Sequence, residues 1–129
     1  MTQTTPELSP FWEGCSRGEL LLQRCSACDT YRHPPSSICP NCLSTEHVWV
    51  PASGRGTLYT FAVVRQALAK AWEDKVPYVV AVIELEEGPR FLTELIDVDP
   101  DGVSIGMPVE VTFVERGGTM LPLFRPRAA

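Results

Sequence analysis

The chain has 129 residues, a hydrophobic content of 44% and a formal net charge of −5 at pH 7. These values are typical of a soluble globular protein with room for one ordinary domain or two small modules. No apolar run approaches the roughly 20 residues that a membrane span needs. Residues 1–51 and residues 52–129 each have more acidic than basic side chains, and neither part has the clustered basic face that nucleic-acid binding requires. We therefore expect no nucleic-acid partner and no membrane association.

A short helix is predicted close to the start of the chain. Ser9, which precedes a proline, is typical of a helix N-terminus, and Gly18 of a C-terminus. Between them, Phe11, Trp12 and Cys15 fall on one helical face. So short a helix is not stable alone in water. The aromatic face is therefore expected to dock on the rest of the chain or on another protein, with Cys15 as a small apolar residue of that face.

Four cysteines predict a metal centre. Cys25 and Cys28 form one Cys-x-x-Cys turn, and Cys39 and Cys42 form a second one further along the chain. Two such turns supply the four thiolates of a closed tetrahedral site, for which zinc with a structural role is the expected ion. Iron in a rubredoxin-like electron carrier, and disulfide or redox pairing, remain as alternatives. Four thiolates complete the shell, so the two histidines near the tetrad, His33 and His47, are expected to be loop or rim residues.

The expected location is the cytoplasm. Residues 1–7 have neither a basic segment nor an apolar core, so no secretion signal is expected. Cysteines in metal spacing, in a chain without such a signal, indicate a reducing compartment.

The zinc ribbon that holds these cysteines is predicted to have one strand entering the first turn, at 20–24, and one leaving the second, at 47–50. Residues 31–37 are expected to form a loop, and 51–56 a short hinge. A module this small has too few large apolar side chains for a core of its own. Metal binding is therefore expected to stabilise its fold.

The pattern after the hinge predicts β-strands of branched and aromatic residues separated by turn signals. A longer excursion, which includes residues 66–75, follows the first of them. Such an order favours a small closed barrel of the OB type. The excursion is expected to be a capping helix with solvated lysines, or alternatively a segment that faces a ligand or partner. The predicted strands are 57–64, 78–85, 90–96, 109–114 and 120–124.

Catalytic constellations are not evident in the sequence. It has no phosphate-binding loop and no dinucleotide fingerprint. The four cysteines are committed to metal, and a closed four-thiolate site leaves no position for a reactive water. We therefore expect no catalytic residues and a protein that is not itself an enzyme.

Short motifs occur in a characteristic order over nearly the whole chain, at residues 11–14, 18–20, the four cysteines, 49–50, 53–57, 77–80, 105–109 and 121–126. With these motifs the chain resembles the rubredoxin-like zinc-ribbon/OB-fold family, long catalogued as a domain of unknown function. Many members have glycine where Asp29 stands, which leaves the geometry of the first turn open. The fold implied is mainly β, with a short N-terminal helix in 1–18, a rubredoxin-like zinc ribbon in 19–51 and a five-stranded OB-fold barrel in 52–129.

Members of that family accompany enzymes that process acyl-CoA. The resemblance implies an accessory subunit of a thiolase, an aldolase of steroid side-chain breakdown or an acyltransferase, with acyl-CoA near the interface. It supplies no catalytic residue. Arg65, Lys70 and Lys75 are the candidates for contacting CoA phosphates, although they could equally be solvated. A nucleic-acid-binding ribbon and barrel, or a rubredoxin-like electron carrier, is the alternative.

Overall fold

The computed structural model describes residues 9–66 and 76–128. In chain order, these residues form a short α-helix, a three-stranded sheet and a closed barrel of five strands. The predicted fold class is therefore confirmed. Within the described residues, no helix is long and apolar enough to cross a membrane.

The N-terminal helix α1 spans Ser9–Ser16 and ends as the sequence predicts. Gly18 has a φ of +78°, and its backbone N–H donates to the Cys15 carbonyl at 3.1 Å. The next N–H, of Glu19, donates to the Gly14 carbonyl at 2.8 Å. This pair of hydrogen bonds satisfies two carbonyls of the last turn, and it needs a left-handed residue at the position of the glycine.

The ribbon sheet contains three antiparallel strands in the order β2-β1-β3. Their bounds are Leu21–Cys25 for β1, Tyr31–Arg32 for β2 and His47–Pro51 for β3. The prediction of a loop over 31–37 was wrong at its first two residues, because these pair with β1 as a short strand. Pairing of β1 with both neighbours holds the segments that carry the cysteines next to one another.

The barrel closes in the strand order β4-β5-β6-β8-β7. Strand β4 pairs with β5 along most of its length and with β7 through its first three residues, which closes the barrel. The prediction of a hinge that reaches residue 56 was wrong, because β4 begins at Arg55. Residues 67–75, with the predicted capping helix, Lys70 and Lys75, lie outside the described residues. The strands are β4 Arg55–Val64, β5 Tyr78–Leu85, β6 Arg90–Leu95, β7 Pro108–Arg116 and β8 Thr119–Pro126.

One hydrophobic core joins the helix, the ribbon and the barrel. The helix contributes Phe11 and Cys15, the start of the ribbon contributes Leu20 and Leu22, and the remaining residues come from the barrel. The aromatic face of α1 therefore docks on its own chain, and the ribbon adds side chains to the barrel core. The limits 1–18, 19–51 and 52–129 stay a prediction. The barrel residues of this core are Leu58, Val79, Ala81, Ile83, Leu85, Phe91, Leu95, Val109 and Phe124.

Candidate functional site

The four cysteine sulfurs converge at one end of the ribbon. The sulfurs of Cys25, Cys28, Cys39 and Cys42 all lie within 4.8 Å of one another. Sγ of Cys25 is 3.5 Å from that of Cys42, and Sγ of Cys28 is 3.7 Å from that of Cys39. Sulfurs bound to zinc at about 2.3 Å in a tetrahedron are about 3.8 Å apart. The cluster therefore fits a zinc ion with four thiolate ligands, and bound zinc would supply a structural cross-link.

Each Cys-x-x-Cys turn is closed by the same backbone hydrogen bond. Asp29 N–H donates to the Cys25 carbonyl at 2.9 Å, and Leu43 N–H to the Cys39 carbonyl at 2.8 Å. Asp29 and Leu43 have φ values of 62° and 66°, in the left-handed region that favours glycine. The first turn thus keeps the same geometry as the second although aspartate stands where glycine is common.

Two polar side chains of the turns contact a cysteine sulfur. Asn41 Nδ2 donates to Cys28 Sγ at 3.5 Å, and Thr30 Oγ1 lies 3.1 Å from the same sulfur. These hydrogen bonds, that of Asn41 first, lower the pKa of the Cys28 thiol to about 6. They favour the thiolate, which is the form that binds metal. Neither contact could be predicted from the sequence, because an Asn and a Thr in turns have many other uses.

The fifth cysteine lies apart from this cluster. Cys15 is fully buried in the shared core, and burial raises the pKa of its thiol to about 11. A thiol in such surroundings stays protonated and packs as a small apolar group.

An apolar cavity of about 340 Å³ lies where the helix, the ribbon and the barrel meet, and we call it the junction cavity. His33 forms part of its wall, with its ring stacked on Phe91 at a centroid distance of 4.4 Å. His33 is thus a packed wall residue of this cavity, although the sequence indicated only a loop or rim position. The lining residues are Phe11, Trp12, His33, Pro34, Pro35, Phe91, Leu92, Thr93, Leu121, Pro122 and Leu123.

Burial of His33 predicts a dependence of stability on pH. Burial lowers the pKa of this imidazole from 6.5 to about 4, so between these values the unfolded chain binds more protons than the folded one. The stability that neutral His33 contributes is therefore lost as pH falls from about 6.5 towards 4. For His33→Phe, we expect urea unfolding to show a loss between pH 7.5 and pH 5 that is about 2 kcal/mol smaller than in the wild type. Equal losses in the two proteins, each with its zinc content verified, would contradict this.

Of the three candidate cations for CoA, the structure describes Arg65. Arg65 forms an exposed ion pair with Asp101, with 3.2 Å between Nη2 and Oδ1. An exposed ion pair of this kind contributes at most about 1 kcal/mol, so a contact of Arg65 with CoA stays a prediction. Lys70 and Lys75 belong to the segment that the structure does not describe.

Two family models together match most of the chain. The ribbon, with residues 12–48, matches the model described as "ChsH2, rubredoxin-like zinc ribbon domain". The barrel, with residues 49–114, matches "ChsH2, C-terminal OB-fold domain". A ribbon with a four-sulfur centre that precedes a closed five-stranded barrel defines a class of zinc-ribbon/OB-fold proteins. Within that class, the chain belongs to the ChsH2-type DUF35 family.

Relatives of known description are similar over most of this chain. A "probable enoyl-CoA hydratase alpha subunit" of Thermomonospora curvata is 43% identical over 118 residues, which are 90% of this chain but 36% of that protein. The chain thus spans about a third of that relative. A "DUF35 domain-containing scaffold protein" of Methanocaldococcus jannaschii is 45% identical over 73% of this chain and 67% of its own length.

A solved structure extends the similarity to nearly the whole fold. A chain of the structure described as "Ltp2-ChsH2(DUF35) aldolase" superposes with a TM-score of 0.88 and 38% sequence identity. The alignment covers 98% of this chain and 98% of that chain.

Proposed function

We propose that this chain is a non-catalytic accessory subunit of a thiolase-superfamily enzyme that acts on acyl-CoA substrates. The observation that carries the proposal is the match, over 98% of both chains, to a component of the Ltp2-ChsH2 aldolase structure. Relatives described as a scaffold protein and as a benzoylsuccinyl-CoA thiolase subunit support a role beside such an enzyme. The proposed partner is a thiolase-like or aldolase subunit in the cytoplasm, and the substrates include steroid side-chain or aromatic acyl-CoA.

We assign the zinc ligands to Cys25, Cys28, Cys39 and Cys42. Their sulfur separations match the edge length of a zinc–thiolate tetrahedron, and four thiolates leave no coordination position for substrate. Zinc then acts by stabilising the ribbon, whose Leu20 and Leu22 belong to the core shared with the helix and the barrel. In this proposal, zinc maintains the fold on which the shared core depends, and it takes no part in a reaction.

The experiment that tests the accessory role is co-expression with a thiolase-like enzyme from the same host. We expect the two proteins to co-elute in size exclusion, and the enzyme to lose activity on acyl-CoA when this chain is absent. An enzyme that never co-elutes with the chain, and is fully active alone, would contradict the proposal. Binding to single-stranded oligonucleotides at physiological salt, at sub-micromolar concentration, would favour the nucleic-acid alternative.

Trp12 provides a second prediction for the same complex. Its indole is only partly buried and lines the junction cavity, while Phe11 beside it is in the core. Large aromatic side chains at partly open pockets often carry much of an interface's binding energy. We expect Trp12→Ala to weaken assembly by about 2 kcal/mol, or roughly 30-fold in Kd, with zinc content unchanged.

The matched control is Tyr59→Ala, which removes an exposed aromatic ring from β4 outside the cavity lining. We expect this variant to bind the partner within about threefold of wild type. Equal binding by wild type and Trp12→Ala in calorimetry would exclude the cavity side of the helix from the interface, even where the complex itself forms.

A further inference from the structure

The junction cavity is larger than a packing defect. Protein interiors contain few voids larger than a water molecule, whereas this cavity measures about 340 Å³. That volume falls within the range of about 300–1,000 Å³ that is typical of small-molecule sites. An apolar cavity of about 150 Å³ is already enough to bind benzene. The junction cavity therefore has room for a molecule larger than a single aromatic ring.

The cavity lies at the seam between β6 and β8. These strands run parallel, and Leu95 and Phe124 form their register pair. Beside the cavity a side chain makes the link between them, since the Thr93 hydroxyl donates to the Pro122 carbonyl at 2.9 Å. Pro122 itself has no N–H with which to bridge the strands. Helix α1 and residues 33–35 contribute the rest of the described wall, so the cavity arises where parts of the fold meet.

Aromatic rings from the helix, the ribbon and the barrel form one side of the wall. The His33 ring stacks on Phe91 at a centroid distance of 4.4 Å, and Phe11 lies 5.5 Å from His33 and 6.1 Å from Phe91. Phe11 and Phe91 also belong to the shared core, which fixes their positions. A preformed wall of this kind favours a ligand with a flat ring system, which can pack against the rings.

The wall also selects an uncharged ligand. None of the described lining residues is Asp, Glu, Lys or Arg. His33 is the titratable group among them, and burial lowers its pKa to about 4, so its imidazole is neutral near pH 7. A charged group in such surroundings would lose its hydration without gaining a partner of opposite charge.

The indole of Trp12 offers a hydrogen-bond donor. Trp12 lines the cavity, and its Nε1 is buried without a hydrogen-bond partner among the described residues. A buried donor of this kind costs free energy until an acceptor reaches it. Water is a poor acceptor here, because a buried water needs about 2–4 polar partners and the wall is mostly apolar. The Thr93 hydroxyl already donates its proton to Pro122.

We propose that the junction cavity is a binding site for an uncharged, ring-containing small molecule whose carbonyl oxygen accepts a hydrogen bond from Trp12 Nε1. The ring system packs against Phe11, His33 and Phe91, and the carbonyl group lies beside the indole. The described residues of one chain provide this site, so it does not depend on the accessory role.

The experiment uses two probes of equal size with the zinc-loaded full chain. 2-Acetylnaphthalene is a neutral ketone, and 2-naphthoate has a charged oxygen in place of the methyl group. Titrations followed by NMR give both affinities. We expect the ketone to bind saturably with a Kd of about 1 mM or lower. The carboxylate is expected to bind at least about 30-fold more weakly, because the wall offers its charge no partner.

Trp12→Phe tests the hydrogen bond, because it removes the indole N–H and keeps an aromatic ring. We expect it to weaken binding of the ketone by about fivefold. With the carbonyl labelled with carbon-13, the resonance of the bound ketone should lie further downfield in the wild type than in Trp12→Phe. The matched control is Trp49→Phe, which removes an indole outside the cavity lining. That variant should bind the ketone within about twofold of wild type.

Leu121→Trp tests the location, because it places a larger side chain in the cavity wall. We expect it to weaken binding of the ketone by at least about tenfold. Ile105→Trp is its control, since Ile105 is exposed and lies outside the lining, and it should bind as the wild type does.

A wild-type chain that does not bind the ketone saturably, or that binds the carboxylate equally well, would overturn the proposal. Equal affinity and an equal carbonyl resonance in wild type and Trp12→Phe would also overturn it. If neither probe binds while Leu121→Trp no longer co-elutes with the thiolase-like enzyme, the cavity is a docking site for protein, and the small-molecule proposal is wrong. Failure of the probes to bind leaves the accessory role itself intact, because that role is measured by co-elution.

Discussion

Replacement of Cys39 by serine is expected to reduce bound zinc from one ion per chain to less than about a tenth. A hydroxyl is a poor ligand for this ion, so zinc affinity should fall by at least about 100-fold. Because metal binding contributes roughly 10–16 kcal/mol of apparent free energy in small zinc peptides, loss of the ion should unfold the ribbon. Elemental analysis gives the zinc content, and amide hydrogen exchange of β3 should rise while that of β5 stays slow.

Cys15→Ser is the matched control, because Cys15 is as fully buried as Cys39 but lies outside the cysteine cluster. An unpaired hydroxyl in the apolar core should cost about 1–3 kcal/mol of unfolding free energy, with zinc content unchanged. Full zinc occupancy in Cys39→Ser would contradict the ligand assignment. Equal zinc loss in Cys15→Ser would show that general destabilisation, and not a missing ligand, releases the ion. Iron in the purified wild type would contradict the choice of metal.

The features that could be predicted from sequence are those that depend on local spacing. Each Cys-x-x-Cys turn is closed by a backbone hydrogen bond within the turn, so the spacing alone brings the two sulfurs of one turn close together. The predicted bounds of strand β5 agree with the observed ones, because every second residue of this segment is apolar and buried on the face that packs against the core. The end of helix α1 could also be predicted, because it depends on the left-handed conformation of one residue, Gly18.

The interactions that the sequence did not reveal are those between distant segments. His33 stacks on Phe91, which lies far along the chain, and a His in a Pro-rich loop gives no sign of that contact. Arg32 and Gln23 form their hydrogen bond because β2 pairs with β1. Strand β2 is too short for an alternating pattern to be detected in the sequence. The ribbon side of the junction-cavity wall depends on the stacking of His33 on Phe91.

The role of Gly56 was also predicted wrongly from the sequence. The sequence predicts a hinge that includes Gly54 and Gly56, yet Gly56 lies inside β4, where it pairs with Leu85 of β5 and Val109 of β7. Glycine within a strand often marks a place where another backbone comes close, and here the backbone of β5 at Glu84 lies against Gly56. Gly56 thus belongs to the part of β4 that pairs with β7 and closes the barrel, and not to a hinge.

Substitution of Gly56 by alanine should therefore destabilise the barrel. The added Cβ would overlap the Glu84 carbonyl oxygen and lie 2.8 Å from Ile83 Cγ2, and a backbone group of a paired strand cannot move away freely. We expect a loss of about 2–4 kcal/mol in unfolding free energy, measured by urea denaturation, with zinc still bound below the transition. Gly102→Ala is the control, because its Cβ would meet nothing closer than Asp99 Cβ at 3.8 Å. That variant should change stability by less than about 0.5 kcal/mol. Equal stability of the two variants would contradict the close approach of β5 to β4, and with it the proposed reason why glycine occupies this position.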